Sequence, residues 1–274
     1  MMFEKPKRLQ HALLTREVRR LSLVLILILI ALVILAWGIE DISYASSGEC
    51  VVLLHGLGRT DRSMKDMAAA LAEAGYTEVN LRYPSREKTI EELSVEIVPE
   101  GLARCREAGR KTVHFVTHSM GGILLRYYLS RHSIPELGRV VMLSPPNQGS
   151  AAADALLENP VYVWFNGPAG LQLGTGPDGI AARLGPVDFP LGIITGNRAA
   201  FFDSWLSDLI PGEDDGKVSV ARAKVEGMTD FLVLPYAHSF IMEEEEVIAQ
   251  TLHFLRHGLF QRDDTAPVAL PAPE

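Results

Sequence analysis

Fifteen residues in the middle of the chain, Lys111–Leu125 (KTVHFVTHSMGGILL), leave few choices of fold. The run before Ser119 is apolar and β-branched, as suits a strand covered on both faces. Ser119 then stands at the tip of one abrupt turn. Gly121 and Gly122 follow it, small enough to let the next helix pack close to that strand. Strand and helix patterns keep alternating on either side, which predicts an α/β architecture: a mainly parallel sheet of about six strands flanked by helices.

The chain has 274 residues, and about 220 remain for this domain once both ends are set aside, enough for a substantial core. Net charge is −8, so nucleic-acid binding has no electrostatic support. The positive mean hydropathy, +0.13, has a local cause. Lys5, Lys7, Arg8, Arg16, Arg19 and Arg20 precede an uncharged apolar run, Leu21–Ile39. As a helix that run spans roughly 28 Å, close to the hydrocarbon thickness of a bilayer. The basic flank predicts a cytoplasmic segment 1–20, a transmembrane signal anchor 21–39 and a domain on the non-cytoplasmic side. The alternative is secretion after cleavage near Ser43-Tyr44-Ala45. A linker 40–49 leads to the domain, 50–260, and a Pro- and Ala-rich tail, 261–274, reads as disordered.

Within the domain, Cys50–Leu54 reads as a buried strand ending in His55-Gly56-Leu57-Gly58. A helix at 63–74, a strand at 77–83 and a long helix at 89–108 follow. Thr89 and Glu92 are spaced as a capping box, and Pro99 is expected to kink or split that helix. A helix from Met120 to about Arg131 and a strand, Arg139–Leu143, come after the Ser119 turn. The pattern then loosens over 151–185, where prolines, glycines and Trp164/Phe165 suggest a cap-like insertion. Order returns with a strand at 191–196, a short helix at 203–210, a last strand at 231–235 and a last helix at 241–257. Glu243–Glu246 fall in that helix's first turns, where carboxylates favour the positive dipole end, so they are not read as a metal site. No His/Cys cluster has ligand spacing and no Gly-rich phosphate loop follows a strand, so no metal or organic cofactor is expected.

Thr117-His118-Ser119-Met120-Gly121 resembles the nucleophile elbow of the α/β-hydrolase superfamily, G-x-S-x-G, with Thr117 in place of the first glycine. The resemblance extends over about residues 50–258, and small bacterial lipases and esterases share it. It implies an α/β-hydrolase fold and a triad in the chain order Ser, acid, His. His238, between the last strand and the last helix, is then the base; His114 lies inside the elbow strand, His132 ends a helix, His253 and His257 lie on the last helix, and His118 is expected to point elsewhere. Pro211–Ser219 resembles the D-G-x-V acid loop, which makes Asp215 the orienting carboxylate. Asp214 is its rival by one residue of register, and Asp203 is a weaker third. The H-G motif at His55-Gly56 implies oxyanion donors at the Leu57 and Met120 N–H groups, with His55 holding the loop. Ser144–Ser150 matches a P-x-x-G-S turn common in lipase-like hydrolases.

If the Cys50 strand and the Ser119 strand are neighbours, as in the hydrolase sheet, Cys50 and Cys105 lie near one edge. An exported domain could oxidise them to a disulfide; two reduced, buried thiols are the alternative. The resemblance implies a serine hydrolase acting on carboxylic esters; the expected membrane anchor and the apolar Trp164/Phe165 region favour lipid-like ones. An acyltransferase using the same triad and a non-catalytic envelope binding protein are the alternatives.

Overall fold

The computed structural model describes residues 48–157 and 159–262. The expected basic segment, the span at 21–39, most of the linker and the tail from residue 263 lie outside the described residues. Among the described residues no helix is long and apolar enough to cross a membrane.

In chain order the regular elements are β1 (Glu49–Leu54), α1 (Lys65–Glu73), β2 (Thr77–Leu81), α2 (Ile90–Glu107), β3 (Thr112–His118), α3 (Met120–Leu129) and β4 (Leu137–Leu143). There follow α4 (Ala151–Leu156), α5 (Pro160–Leu171), β5 (Leu191–Gly196), α6 (Ser204–Ser207), α7 (Val220–Ala223), β6 (Asp230–Leu234) and α8 (Glu245–His257). Short 3-10 turns precede α1, β5 and α8. The six strands form one parallel sheet in the order β2-β1-β3-β4-β5-β6.

Burial explains why the central strands are apolar in unbroken runs. Successive residues of β1 face opposite sides of the sheet. Cys50, Val52 and Leu54 meet α2 and α3 through Leu93, Val98, Leu102 and Ile123. Val51 and Leu53 join Val116, Val141 and Ile194 in a second core under Met67 and Leu71 of α1 and Val247 and Phe254 of α8. The chain leaves β1 toward β2 and then returns across β1 to β3, so the strand order reverses between β1 and β3. Ligands of open α/β sheets collect at the carboxyl ends of strands beside such a reversal. The Leu57 loop follows β1 there, and Ser119 follows β3.

Three local expectations change. A single helix runs through Pro99 instead of splitting, because Ile97, Val98 and Leu102 seat both halves on the sheet. The expected capping box is present: Thr89 Oγ1 accepts from Glu92 N at 3.2 Å and Glu92 Oε2 from Thr89 N at 2.9 Å. The last helix is broken at its start. A 3-10 turn, Ile241–Glu243, is followed by extended Glu244, so only Glu245 and Glu246 occupy the first turn of α8. The insertion at 151–185 is largely helical, and Gly167, at φ 63°, divides α5 in two. A Cβ there would meet Arg86 O at 1.8 Å, so this position needs glycine for space as well as conformation.

Cys50 and Cys105 form a disulfide with a Cα separation of 5.8 Å, joining β1 to α2. It closes a loop of 55 residues. A Cys50→Ala/Cys105→Ala protein is expected to lose about 2–4 kcal/mol of stability, read as a lower urea midpoint with a steeper slope, because the unbridged unfolded chain exposes more surface. An unchanged midpoint would show that the bridge adds nothing beyond the packing of the two side chains.

Candidate active site

Strand β3 turns into α3 at a single residue, Ser119, with φ 53° and ψ −122°. Among the described residues only Ser119 and Ser144 are non-glycine residues with positive φ, and both stand at the carboxyl ends of central strands. Such strain persists only where the surroundings over-determine it. Here Ser119 N donates to Leu143 O at 2.8 Å and Gly122 N to Ser119 O at 3.0 Å.

The two glycines after the serine have separate tasks. A Cβ on Gly121 would lie 2.5 Å from Leu54 O and 2.9 Å from His55 O, both backbone atoms of β1 and its loop. A Cβ on Gly122 would lie 3.1 Å from Met142 Sδ and 3.2 Å from Thr117 Oγ1. The threonine that replaces the elbow's first glycine is thus accommodated by Gly122. Gly121→Ala is expected to cost about 1–3 kcal/mol, because a backbone carbonyl cannot move aside as a side chain can. Gly122→Ala is expected to cost less, and chemical denaturation of the two variants compares them directly.

Ser119 Oγ lies 3.0 Å from His238 Nε2, and His238 Nδ1 lies 2.9 Å from Asp215 Oδ2. Asp215 is fully buried, and His238 and Ser119 are nearly so. Each comes from a different carboxyl-end loop: Ser119 after β3, Asp215 between α6 and α7, and His238 after β6. The other oxygen of Asp215, Oδ1, accepts from Val218 N at 2.8 Å and Lys217 N at 3.1 Å. His238 N donates to Asp215 O at 2.9 Å, so backbone as well as side chain joins the two loops. Burial by itself would raise the Asp215 carboxyl, but the His238 charge, its hydrogen bond and the Val218 N–H together hold it below the ordinary carboxylate range.

Asp214 is turned away. Its Oδ1 accepts from Ser207 Oγ and from Gly216 N, each at 2.7 Å, which shapes the loop that presents Asp215. Asp203 accepts from Ser239 Oγ at 3.0 Å and lies 3.7 Å from Lys217 Nζ, bracing the residue next to His238. The Gly56–Leu57 loop lies against the serine: a Cβ on Gly56 would be 3.1 Å from Ser119 Cβ. Met120 is the first residue of α3, where helix geometry leaves the N–H without an intrahelical acceptor. Among the described residues the Leu57 N–H has no protein acceptor. Leu57 also lines the pocket at Ser119.

The remaining histidines separate by environment. His55 stacks on Tyr83, ring centroids 3.9 Å apart, and the Tyr83 hydroxyl donates to His55 O. Burial pushes the His55 imidazole down to about 4, which suits a loop anchor that stays neutral. His114 is buried in β3 and accepts from Arg139 N at 2.7 Å. His118 does not point away, contrary to expectation. Its Nε2 contacts His238 O at 3.0 Å, its ring lies 5.0 Å from that of His238, and it lines the pocket. Burial, then the neighbouring His238, hold its imidazole well below its usual range.

Sequence reasoning missed Arg126. An arginine in an amphipathic helix ordinarily faces water, yet this one is buried. It donates to Asn147 O at 2.8 Å and to Gly185 O at 2.8 Å. Asn147 Nδ2 in turn donates to Ala223 O at 2.8 Å, and Ser150 Oγ to Lys217 O at 2.7 Å. The Ser144–Ser150 turn therefore ties the end of the insertion to the loop that carries Asp215.

The pocket at Ser119 has a volume of about 250 Å³. Apolar walls come from Leu57, Pro146, Ala152, Leu156, Phe165 and Leu173, so the insertion supplies much of the lining. An exposed aromatic group stands next to Phe165 in the chain: Trp164 is 82% exposed. Among the described residues no group of three or more His, Cys, Asp or Glu side chains could hold a metal ion.

A parallel sheet, a strained serine between β3 and α3, and acid and base delivered from later loops in that order together define an α/β-hydrolase fold. The chain belongs to the alpha/beta hydrolase family, whose model matches residues 51–268. No curated protein sequence matches the chain. The fold is similar to that of the mature lipase BlEst2 from Bacillus licheniformis, with TM-score 0.62, 20% identity, and coverage of 75% of this chain and 91% of that one. It is similar to phospholipase PlaB from Legionella pneumophila at TM-score 0.61 and 19% identity, covering 77% of this chain but only 60% of PlaB. Lipase B from Aspergillus fumigatus aligns at TM-score 0.56 and 16% identity, over 78% of this chain and 54% of that one.

Proposed function

We propose that this hydrolase is a serine esterase acting on carboxylic esters with apolar acyl groups, through an acyl-enzyme. The observation that carries the reading is the hydrogen-bonded chain from Ser119 Oγ through His238 to Asp215, opening into an apolar pocket. His238 Nε2 takes the Ser119 hydroxyl proton as Oγ bonds to the ester carbonyl carbon. The Leu57 and Met120 N–H groups stabilise the resulting oxyanion, each worth roughly 3–4 kcal/mol. The carbon–alkoxy bond then breaks and the leaving alcohol takes the proton from His238. Water, deprotonated by His238, attacks the acyl-enzyme and releases the acid. Asp215 keeps Nδ1 protonated and stabilises the imidazolium. None of these steps calls for a metal or cofactor.

Lipid-like esters are favoured by the apolar lining and by the exposed Trp164 and Phe165 of the insertion. The similar folds named a lipase and a phospholipase agree with that preference. The run Leu21–Ile39 would keep the domain beside a bilayer as a single-pass anchor, and the Cys50–Cys105 disulfide favours an oxidising, non-cytoplasmic compartment. Hydrolysis of p-nitrophenyl esters of graded chain length by the full chain tests the reading. Turnover of medium-chain esters is expected, and absence of turnover at every length would refute it.

A further inference from the structure

Beside the apolar pocket lies a second, more polar cleft of about 640 Å³, and the two share Arg59 and Phe165 as a common wall. Three arginines, Arg59, Arg82 and Arg86, line it. In a chain of net charge −8 this is a local reversal of sign. The arginines are held in a way that leaves their charge largely uncompensated. Arg59 Nη2 donates to Ser239 O at 2.9 Å, and Arg86 Nη1 to Phe165 O at 3.3 Å. The Arg86 guanidinium also lies 4.6 Å from the Phe165 ring centroid. Backbone carbonyls and a ring face orient a guanidinium without neutralising it. Among the described residues neither Arg59 nor Arg86 is in an ion pair, while Arg82 has only a long contact, 3.9 Å, to Asp61. The single carboxylate in the lining, Glu87, is exposed.

Arg59 joins this cleft to the catalytic end of the molecule, since the carbonyl it grips belongs to the residue after His238. The cleft is also rigidly walled. Gly58 N donates to Ser85 Oγ at 3.0 Å, and Gly167 packs α5 directly onto Arg86 O. An ester placed with its acyl chain in the apolar pocket would direct its alcohol portion toward these arginines. Forked guanidinium donors suit the several oxygens of a phosphate.

We propose that this cleft binds a phosphate group on the alcohol side of the ester substrate, so that the preferred substrates are acyl esters of phosphorylated alcohols. The inference rests on the esterase reading for the placement of the acyl chain. Titration calorimetry of the full chain tests it without turnover, using 1-O-octylglycerol 3-phosphate, an ether the triad cannot cleave. The controls are 1-O-octylglycerol and inorganic phosphate. The phosphorylated ether is expected to bind at least about tenfold more tightly than the neutral one, equivalent to about 1.4 kcal/mol. In Arg82→Gln, which leaves the walls of the apolar pocket and the Arg86–Phe165 contact in place, that advantage shrinks while the neutral ether keeps its affinity. Equal affinity for the two ethers, or equal weakening of both in the variant, would overturn the proposal. Inorganic phosphate binding as tightly as the phosphorylated ether would assign the cleft to a free anion and overturn it too. Failure of the esterase reading appears elsewhere, as absent hydrolysis of neutral p-nitrophenyl esters.

Discussion

Ser119→Ala is expected to lower kcat for p-nitrophenyl butyrate by about 10⁴-fold or more, with an unchanged unfolding midpoint. The size follows from the position of the residue. In the proposed mechanism its hydroxyl accepts the acyl group, so no neighbouring group can take over the covalent step. Whatever activity remains would come from the oxyanion donors and from binding. The substitution also keeps the elbow's backbone bonds, because Ser119 N and O, not its side chain, hold the turn. Alanine at φ 53° retains the strain of the native residue, so little stability should change. Stopped assays and denaturation on one preparation separate the two effects.

The second large effect distinguishes two adjacent carboxylates. Asp215→Asn is expected to reduce kcat by about 10⁴-fold, because an amide facing Nδ1 disfavours the tautomer that leaves Nε2 free to accept the serine proton. Asp214→Asn is expected to stay within a few-fold of wild type. Asparagine keeps an oxygen for the Gly216 N–H and Ser207 hydroxyl that Asp214 now serves. Reversal of the two results would show that the loop presents its other carboxylate to His238.

Much of this arrangement was legible in the sequence because it follows from strong local signals. Doubly covered strands must be apolar throughout, which exposed β1, β3, β4 and β5, and the chain order of the resemblance then placed Asp215 and His238. The register at 214–215 was harder, since adjacent acidic residues look alike until their hydrogen bonds are known. Arg126 escaped notice and His118 was expected to point elsewhere for a shared reason. Their roles arise from contacts across 59 and 120 residues of sequence respectively, which no local pattern records. Pro99 does not split its helix because propensity is local, whereas the sheet beneath α2 supports both halves. The cleft of three arginines was invisible for the same cause, as Arg59 follows β1 while Arg82 and Arg86 follow β2, and they meet only in the fold.

The central claim is that Ser119 is an activated nucleophile. Incubation of the full chain with a fluorophosphonate, followed by intact-mass and peptide analysis, tests it most directly. One adduct per chain, on the peptide that contains Ser119 and absent from His238→Ala, is the predicted result. No adduct, or one on another residue with Ser119 left unmodified, would contradict the account.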